Sequence, residues 1–372
     1  MSIMLCMAVT AAAIRLPAAM QRLEAVGRPA LQKYLDEQRA GAAVQSIEWL
    51  DVPAGAAMQH RLWRAIADAE EHGISQVLAV PRIEASAAAA LLDLPEDATE
   101  GVHLSLLPPD APVPAVVIDP PAAWRGSERR DGAERRDEAA ALERSRAWVQ
   151  RTLAPGALGF CPYTASASEA GAGLESLGVT AAPIAFGVSS SAQVSALVAD
   201  FWRMVEGRML GPGEGECSSI LLMAPAWDGR WEEWKACVFP TLEATLVASG
   251  LSRTFGIVCF HPCYLTPDAE YLARHRFGHM HSTGRLRRWH NEVDETLSRS
   301  LSDDEVHWVG SYQRRSPHAT INVLWSRQLE IAETRRDSAS LYTRNLRRAV
   351  RVGFEQLHGE AQAERGDERG EA

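Results

Sequence analysis

Three short segments of the chain combine a reactive side chain with a proline that ends a regular element; they are residues 159–163, 257–264 and 312–317. The three groups that could do chemistry there are the Cys161 thiol, the His261 imidazole and the Arg315 guanidinium. Together they suggest an enzyme acting on a small anionic metabolite. In that hypothesis Arg315 anchors the anion, His261 is the general acid/base, and Cys161 is a nucleophile or a polar wall.

Cys161 lies in a Gly-Phe-Cys-Pro-Tyr turn that follows a predicted helix. A cysteine at such a junction is often partly exposed, and nearby N–H dipoles or cations stabilise its thiolate, which is the reactive form. The alternative is a buried free cysteine that packs as a small apolar side chain.

His261 follows a β-prone run, residues 257–260, and precedes Pro262. Ligands of open α/β sheets bind at the carboxyl ends of strands, so this histidine is placed for proton transfer or anion binding. A packing histidine with locally satisfied nitrogens is the alternative. Cys259, His261 and Cys263 could also join Cys161 around zinc. Paired Cys-x-x-Cys spacings are absent and Pro262 interrupts the strand, so we predict no metal site.

Arg315 precedes Ser316 and Pro317, and this order predicts a helix start with Ser316 as the cap and Pro317 at the first position. A helix N-terminus beside Arg314 and Arg315 would bind an anion. Alternatively, one arginine pairs with the excess of acidic residues and the segment only starts a helix.

Residues 274–290 are locally basic, with five arginines, four histidines and no acid. Phosphate or nucleic-acid contact is one interpretation, and a solvated helix face or loop is the other. His275, His279 and His281 could be metal ligands, but Gly278 interrupts the helical spacing.

Composition limits the class of protein. The 372 residues carry a formal net charge of -10, which disfavours non-specific nucleic-acid binding. Six cysteines are too few for a disulfide framework, and no apolar run is long enough to cross a membrane. We therefore expect a soluble intracellular protein, cytoplasmic or organellar. Residues 1–23 resemble a plastid or mitochondrial transit peptide, with an ordinary N-terminal helix as the alternative.

The pattern along the chain predicts an α/β fold. Residues 24–121 form a smaller α/β unit, residues 122–137 a charged linker, residues 138–358 a larger domain, and residues 359–372 a disordered tail. In the larger domain, strands at 183–188, 218–224 and 255–261 alternate with helices, which favours a layered sheet with parallel strands covered by helices. Further helices are predicted at about 285–300, 317–333 and 338–357.

The same three segments, with a fourth at residues 342–345, make the chain resemble the uncharacterised bacterial and plant-type family named domain of unknown function 1415. The corresponding motifs are Trp148 leading to Cys-Pro-Tyr, then Phe-His-Pro-Cys-Tyr, Arg-Ser-Pro, and Tyr-Thr-Arg-Asn. The resemblance covers roughly residues 140–357. It implies that Tyr264, Ser316 and Asn345 join the site as substrate-binding residues.

The resemblance has departures and implies no activity. Family members continue the Arg-Ser-Pro segment with His-Leu-Leu-Arg-Glu, whereas this chain has Asn-Val-Leu-Trp-Ser at residues 322–326. This member would then be altered in specificity or inactive. A non-catalytic module that binds a ligand or partner, with a structural or redox role for the cysteines, is the alternative to an enzyme. The sequence assigns no cofactor and no oligomeric state.

Overall fold

The computed structural model confirms the α/β class: two mixed sheets are surrounded by helices. It describes residues 28–37, 44, 46–50, 55–80, 99, 101–108, 110–121, 134–156, 158–161, 163–171, 181–210, 217–274, 280–334 and 337–364. Within these ranges, no helix has both the length and the apolar character that a membrane span requires.

The first sheet belongs to the predicted N-terminal unit and has the strand order β1-β2-β4-β3. Its elements are helix α1 (28–37), β1 (Ser46–Trp49), α2 (Ala56–His72), β2 (Gln76–Ala79), β3 (His103–Leu106) and β4 (Ala115–Asp119). One face packs on α1 through Leu31 and Leu35, and the other packs on α2.

The second sheet has the order β5-β6-β7-β9-β8. The elements of this part are α3 (Glu134–Trp148, continued by a π-helical turn, Val149–Leu153), β5 (Glu169–Ala170), β6 (Ala182–Val188), α4 (Val194–Arg208), β7 (Ser219–Met223), α5 (Trp231–Glu233, a π-helical turn at Trp234–Val238, and Phe239–Ala248), β8 (Phe255–Phe260), α6 (Ala269–Arg274), α7 (Thr283–Val293), α8 (Glu295–Arg299), α9 (Asp303–Tyr312), β9 (Thr320–Trp325), α10 (Ser326–Thr334), α11 (Asp337–Val352) and α12 (Phe354–Glu364).

The helix predicted at 317–333 is wrong in its first half, because residues 320–325 form β9. This segment, Thr-Ile-Asn-Val-Leu-Trp, is rich in β-branched and aromatic residues and lies between β7 and β8, antiparallel to both. The Ser316 hydroxyl does not cap a helix and instead donates to the His318 carbonyl oxygen at 2.6 Å. The sheets are therefore mixed rather than wholly parallel, and each holds one parallel pair, β1-β2 and β6-β7.

The two faces of the second sheet have different surroundings. Because side chains alternate along a strand, Ile220, Leu222, Ile257 and Ile321 point into a solid core with α4 and α5. Leu221, Val258, Asn322 and Leu324 point the other way, toward α3, α7 and α11.

The two predicted units share one buried core. Helix α2 packs along α4, and Leu62 and Trp63 of α2 belong to the same cluster as Phe201 and Trp202 of α4. Gly73, in the left-handed conformation at φ 66°, ends α2. Of the predicted linker, residues 122–133 lie outside the described residues, and α3 begins at Glu134. Residues 1–23 also lie outside them, whereas the start of the predicted tail, 359–364, continues α12.

Leu62→Ala should lower the free energy of unfolding by about 2 to 5 kcal/mol, because this fully buried side chain leaves a cavity in the shared core. Since that core joins both sheets, we expect one cooperative transition shifted as a whole in urea denaturation. Arg64→Ala, on the exposed side of α2, is the control. Two separated transitions in the Leu62 variant would show that the units are independent.

Candidate functional site

A cavity of about 890 Å³ lies on the second face of the second sheet, between β6–β9 and the helices α7 and α11. Its volume falls within the range of small-molecule sites, roughly 300 to 1,000 Å³. The sheet supplies an apolar floor, and the rest of the wall carries polar and aromatic groups. The floor consists of Ile184, Leu221, Val258 and Leu324, and the polar and aromatic wall includes Cys161, Tyr163, His281, Arg285, Trp289, Glu292, Gln313, Arg314, Asn322, Gln328 and Tyr342.

The structure places Cys161 in the wall of this cavity, half-buried. The π-helical turn Val149–Leu153 positions it, because the Phe160 and Cys161 amides donate to the carbonyl oxygens of Thr152 and Leu153 at 2.9 and 3.3 Å. Among the described residues, no carboxylate or imidazole hydrogen-bonds the Cys161 sulfur. The thiol is therefore accessible to a ligand but has no general base beside it here.

Asn345 fixes this turn against the opposite wall. Its side-chain N–H groups donate to the Phe160 carbonyl oxygen at 3.0 Å and to the Gln313 Oε1 at 2.8 Å. Arg344 and Arg348 of the same helix donate to the Gly159 carbonyl oxygen as well. The buried Asn345 thus connects helix α11 to the turn that carries Phe160 and to Gln313 at the end of α9.

Arg314, rather than Arg315, lines the cavity. Its guanidinium donates to the Tyr342 hydroxyl at 3.3 Å and lies 5.6 Å from the centre of the Phe260 ring. The next residue points away: Arg315 lines a separate cleft of about 10 Å³ with Trp148, and its Nε donates to the Tyr264 carbonyl oxygen at 3.4 Å. That cleft has room for about one water molecule.

His261 is fully buried on the other side of the sheet, between the rings of Trp231 and Trp234. Its Nδ1 accepts from the Cys263 amide at 3.0 Å and its Nε2 faces the Trp227 carbonyl oxygen at 3.0 Å. This pair of contacts fits the neutral ring with its proton on Nε2. Burial lowers the pKa of His261 to about 4.

The remaining sequence-predicted site residues do not reach the large cavity, with the exception of Asn345. Tyr264 is buried against Trp231, with ring centres 5.1 Å apart, and burial raises its pKa. Ser316 is buried beside Arg315. The structure therefore brings Cys161 and Asn345 to one site and places His261, Tyr264, Arg315 and Ser316 elsewhere.

The cysteines considered for zinc do not converge. Cys259 is buried, its sulfur accepts from the Trp234 indole N–H at 3.3 Å, and burial raises its pKa to about 12, so it is a thiol at neutral pH. Cys263 is exposed. In the described part of the chain, no three His, Cys, Asp or Glu side chains are grouped as a metal site requires.

Several side chains of the basic segment 274–290 contact other residues of the chain. Arg287 pairs with Asp303 at 2.6 Å, Arg288 lies 3.9 Å from Glu292, and His290 is buried against Thr343. Residues 275–279, with two of the histidines considered as ligands, lie outside the described residues. His281 instead packs edge-on against Trp289 and Tyr342 in the cavity wall.

Sequence reasoning named Arg314 only as the neighbour of Arg315, and it did not single out Trp289, Asn322 or Gln328, although all four line the cavity. The signal for Asn322 was available, because an amide stands within the alternating pattern of residues 320–325, but only if that segment is taken as a strand. Arg314 belongs to the predicted site segment 312–317 and directly precedes Arg315, the predicted anion anchor.

Fold and site together define a class: a mixed α/β protein with a ligand-sized cavity on one face of its second sheet. No protein-family model, no curated protein and no solved structure matches this chain. The resemblance to domain of unknown function 1415 stays a prediction.

The fold should lose stability as the pH falls from about 6.5 to about 4, because burial lowers the pKa values of both His261 and His290 to about 4. In this window the unfolded chain binds these protons and the folded chain does not, so acid favours unfolding. For His261 the effect is on the order of 3 kcal/mol. Urea denaturation at several pH values measures it.

His261→Asn should be less stable than the wild type at pH 7 but should lose less stability between pH 6.5 and pH 4. His103→Asn, on the exposed edge strand β3, is the control and should keep the wild-type pH dependence. An unchanged pH dependence in the His261 variant would contradict the buried neutral imidazole.

Proposed function

We propose that this protein binds a small organic anion with an apolar body in the cavity beside β7, β8 and β9. One observation carries the proposal: two guanidinium groups, those of Arg314 and Arg285, line a cavity whose floor is aliphatic. The carboxylate among the described lining residues, Glu292, already faces Arg288. The lining therefore favours a ligand that combines a negative charge with an apolar body.

The aromatic wall supports a ligand with a flat or bulky apolar body. Trp289 and Tyr342 stack with ring centres 5.4 Å apart and 27° between their planes, and the Arg285 guanidinium lies 4.8 Å from the Trp289 ring centre. An arginine held on an aromatic face keeps its N–H edge available for a carboxylate or phosphate. Arg285 is exposed and Arg314 is half-buried, so the cations lie at different depths.

A thiol-dependent enzyme is the second candidate, favoured by the Cys161 sulfur in the cavity wall. This version keeps Cys161 from the original hypothesis and replaces Arg315 by Arg314 as the anion anchor. His261 has no part in it, because its ring is sealed on the opposite face of the sheet. A non-catalytic ligand-binding protein needs only the cavity. We favour this version, because no general base contacts the Cys161 sulfur among the described residues.

We also propose that the chain is a divergent relative of domain of unknown function 1415 that works in a reducing compartment, cytoplasmic or organellar. The motif segments that carry the resemblance pack together: the His261 amide donates to the Arg314 carbonyl oxygen at 3.0 Å, and Asn345 contacts Phe160. Within the described part of the chain, Cys161, Cys259 and Cys263 are free thiols, which suits such a compartment.

Arg314→Gln should weaken the binding of benzoate and phenyl phosphate by about tenfold or more, because a charge-assisted hydrogen bond to the anion is lost. Arg315→Gln is the matched control: it removes the same charge one residue away, outside the cavity, and should change the affinity less than about twofold. Titration followed by ligand-observed NMR gives both values. Equal losses in the two variants, or a loss only in the Arg315 variant, would contradict the proposed site.

Saturating phenyl phosphate should slow the alkylation of Cys161 by iodoacetamide, because the ligand and the thiol share the cavity. The exposed Cys263 is the internal control, and its alkylation rate should not change. Mass spectrometry of tryptic peptides follows both thiols in one sample. Protection of both, or of neither, would show that the ligand does not bind beside Cys161.

A further inference from the structure

Two carboxamide side chains line the cavity without a hydrogen-bond partner among the described residues. They are Asn322, in the middle of β9, and Gln328, near the start of α10. The side-chain oxygen of each is buried and unsatisfied. Gln328 as a whole is only 7% exposed, so solvent does not compensate it freely.

The position of Asn322 is unfavourable for folding alone. On the cavity face it lies opposite Leu221 of β7 and Val258 of β8, so an amide stands between two aliphatic side chains in the centre of the sheet. Asparagine is depleted in strands, and a buried amide without a partner costs free energy. A leucine at this position would complete the apolar floor.

The same chain satisfies its structural amides, as Asn345 shows. The Asn345 amide donates to the Phe160 carbonyl oxygen and to Gln313, and its oxygen accepts from Arg344 at 3.2 Å. Asn322 and Gln328 therefore differ from the amides that hold the fold together. A molecule bound in a cavity of ligand size would satisfy these buried polar groups.

We propose that the ligand carries a carboxamide or lactam edge in addition to its anionic group, and that Asn322 and Gln328 hydrogen-bond that edge. A carboxamide side chain offers one acceptor and two donors, so a ligand group with an adjacent N–H and C=O matches it in both directions. This inference rests on the proposed function, since Arg314 and Arg285 bind the anionic end. It narrows the ligand class to organic anions that also contain an amide-like group.

The test uses matched ligands on the 372-residue chain. The probes are the monoamides of terephthalic and isophthalic acid, and each is paired with the corresponding isopropylbenzoate, in which an apolar group of similar shape replaces the amide. The wild type should bind the better monoamide about tenfold more tightly than its isopropyl partner, as expected for two net hydrogen bonds. Titration followed by ligand-observed NMR measures the ratio.

The protein variants are Asn322→Leu and Gln328→Met, which keep the side-chain size and remove the amide. In each, the preference for the monoamide should fall to about threefold or less, because one of the two hydrogen bonds is lost, while isopropylbenzoate binding is retained or improved. Both variants should melt at the wild-type temperature or above it, because an unsatisfied buried group has been removed. Asn291→Leu and Gln356→Met, both at exposed helix positions, are the controls and should keep the preference.

The outcomes separate this inference from the proposed function. If the wild type binds each monoamide and its isopropyl partner equally well, with both dependent on Arg314, the amide inference is overturned and the anion site stands. A preference that survives in both Asn322→Leu and Gln328→Met would also overturn it. If no probe binds in an Arg314-dependent way, the proposed function fails, and this inference fails with it.

Discussion

Side chains alternate between the two faces of the second sheet, and this alternation decides what each face packs against. Each strand contributes side chains to both faces of the sheet, and the two faces have different surroundings. Ile220, Ile257 and Ile321 are packed into a solid core against α4 and α5. The other face meets helices that stand off from it and enclose a space of about 890 Å³. The second sheet therefore has one solidly packed face and one face that borders a cavity.

A hydrogen-bond network holds that space open. Asn345 links the turn carrying Phe160 to Gln313, and Arg348 donates to the Leu158 carbonyl oxygen at 2.9 Å. These contacts satisfy backbone carbonyl groups that neither helix nor sheet would pair. The buried His261, on the opposite face, similarly closes the turn after β8. Asn345 and His261 thus hold turns around the second sheet in place, whereas Cys161 and Arg314 line the cavity.

The fold class and most of the elements could be predicted from local patterns. The strands at 182–188, 219–223 and 255–260 were close to their predicted bounds, because each is a short apolar run between helical segments. Strand β9 was missed because Ser316 and Pro317 form a strong helix-start signal, whereas sheet pairing on both sides decides its structure. The antiparallel pairing of β9 with β7 and β8 depends on the central position of β9 in the sheet, and the local sequence does not reveal that position.

Of the predicted site residues, Cys161 and Asn345 line the cavity, and two of the others, His261 and Arg315, each lie one position from a residue that does. Phe260 faces the cavity while His261 faces the core, and Arg314 faces the cavity while Arg315 does not. Motif spacing identifies a turn, but the direction of each side chain depends on where the strand or helix ends and on what packs behind it. Cys161 and Asn345 line the cavity because both belong to segments that meet there.

We propose that a small anion binds on the open face of the second sheet with its charge at Arg314. A crystal structure with para-bromobenzoate, with the bromine located by anomalous diffraction, would show where the anion lies. We expect a bromine peak among Leu221, Val258 and Leu324, with the carboxylate within hydrogen-bond distance of the Arg314 guanidinium. A ligand bound beside Arg315, or on the surface away from the cavity, would contradict it.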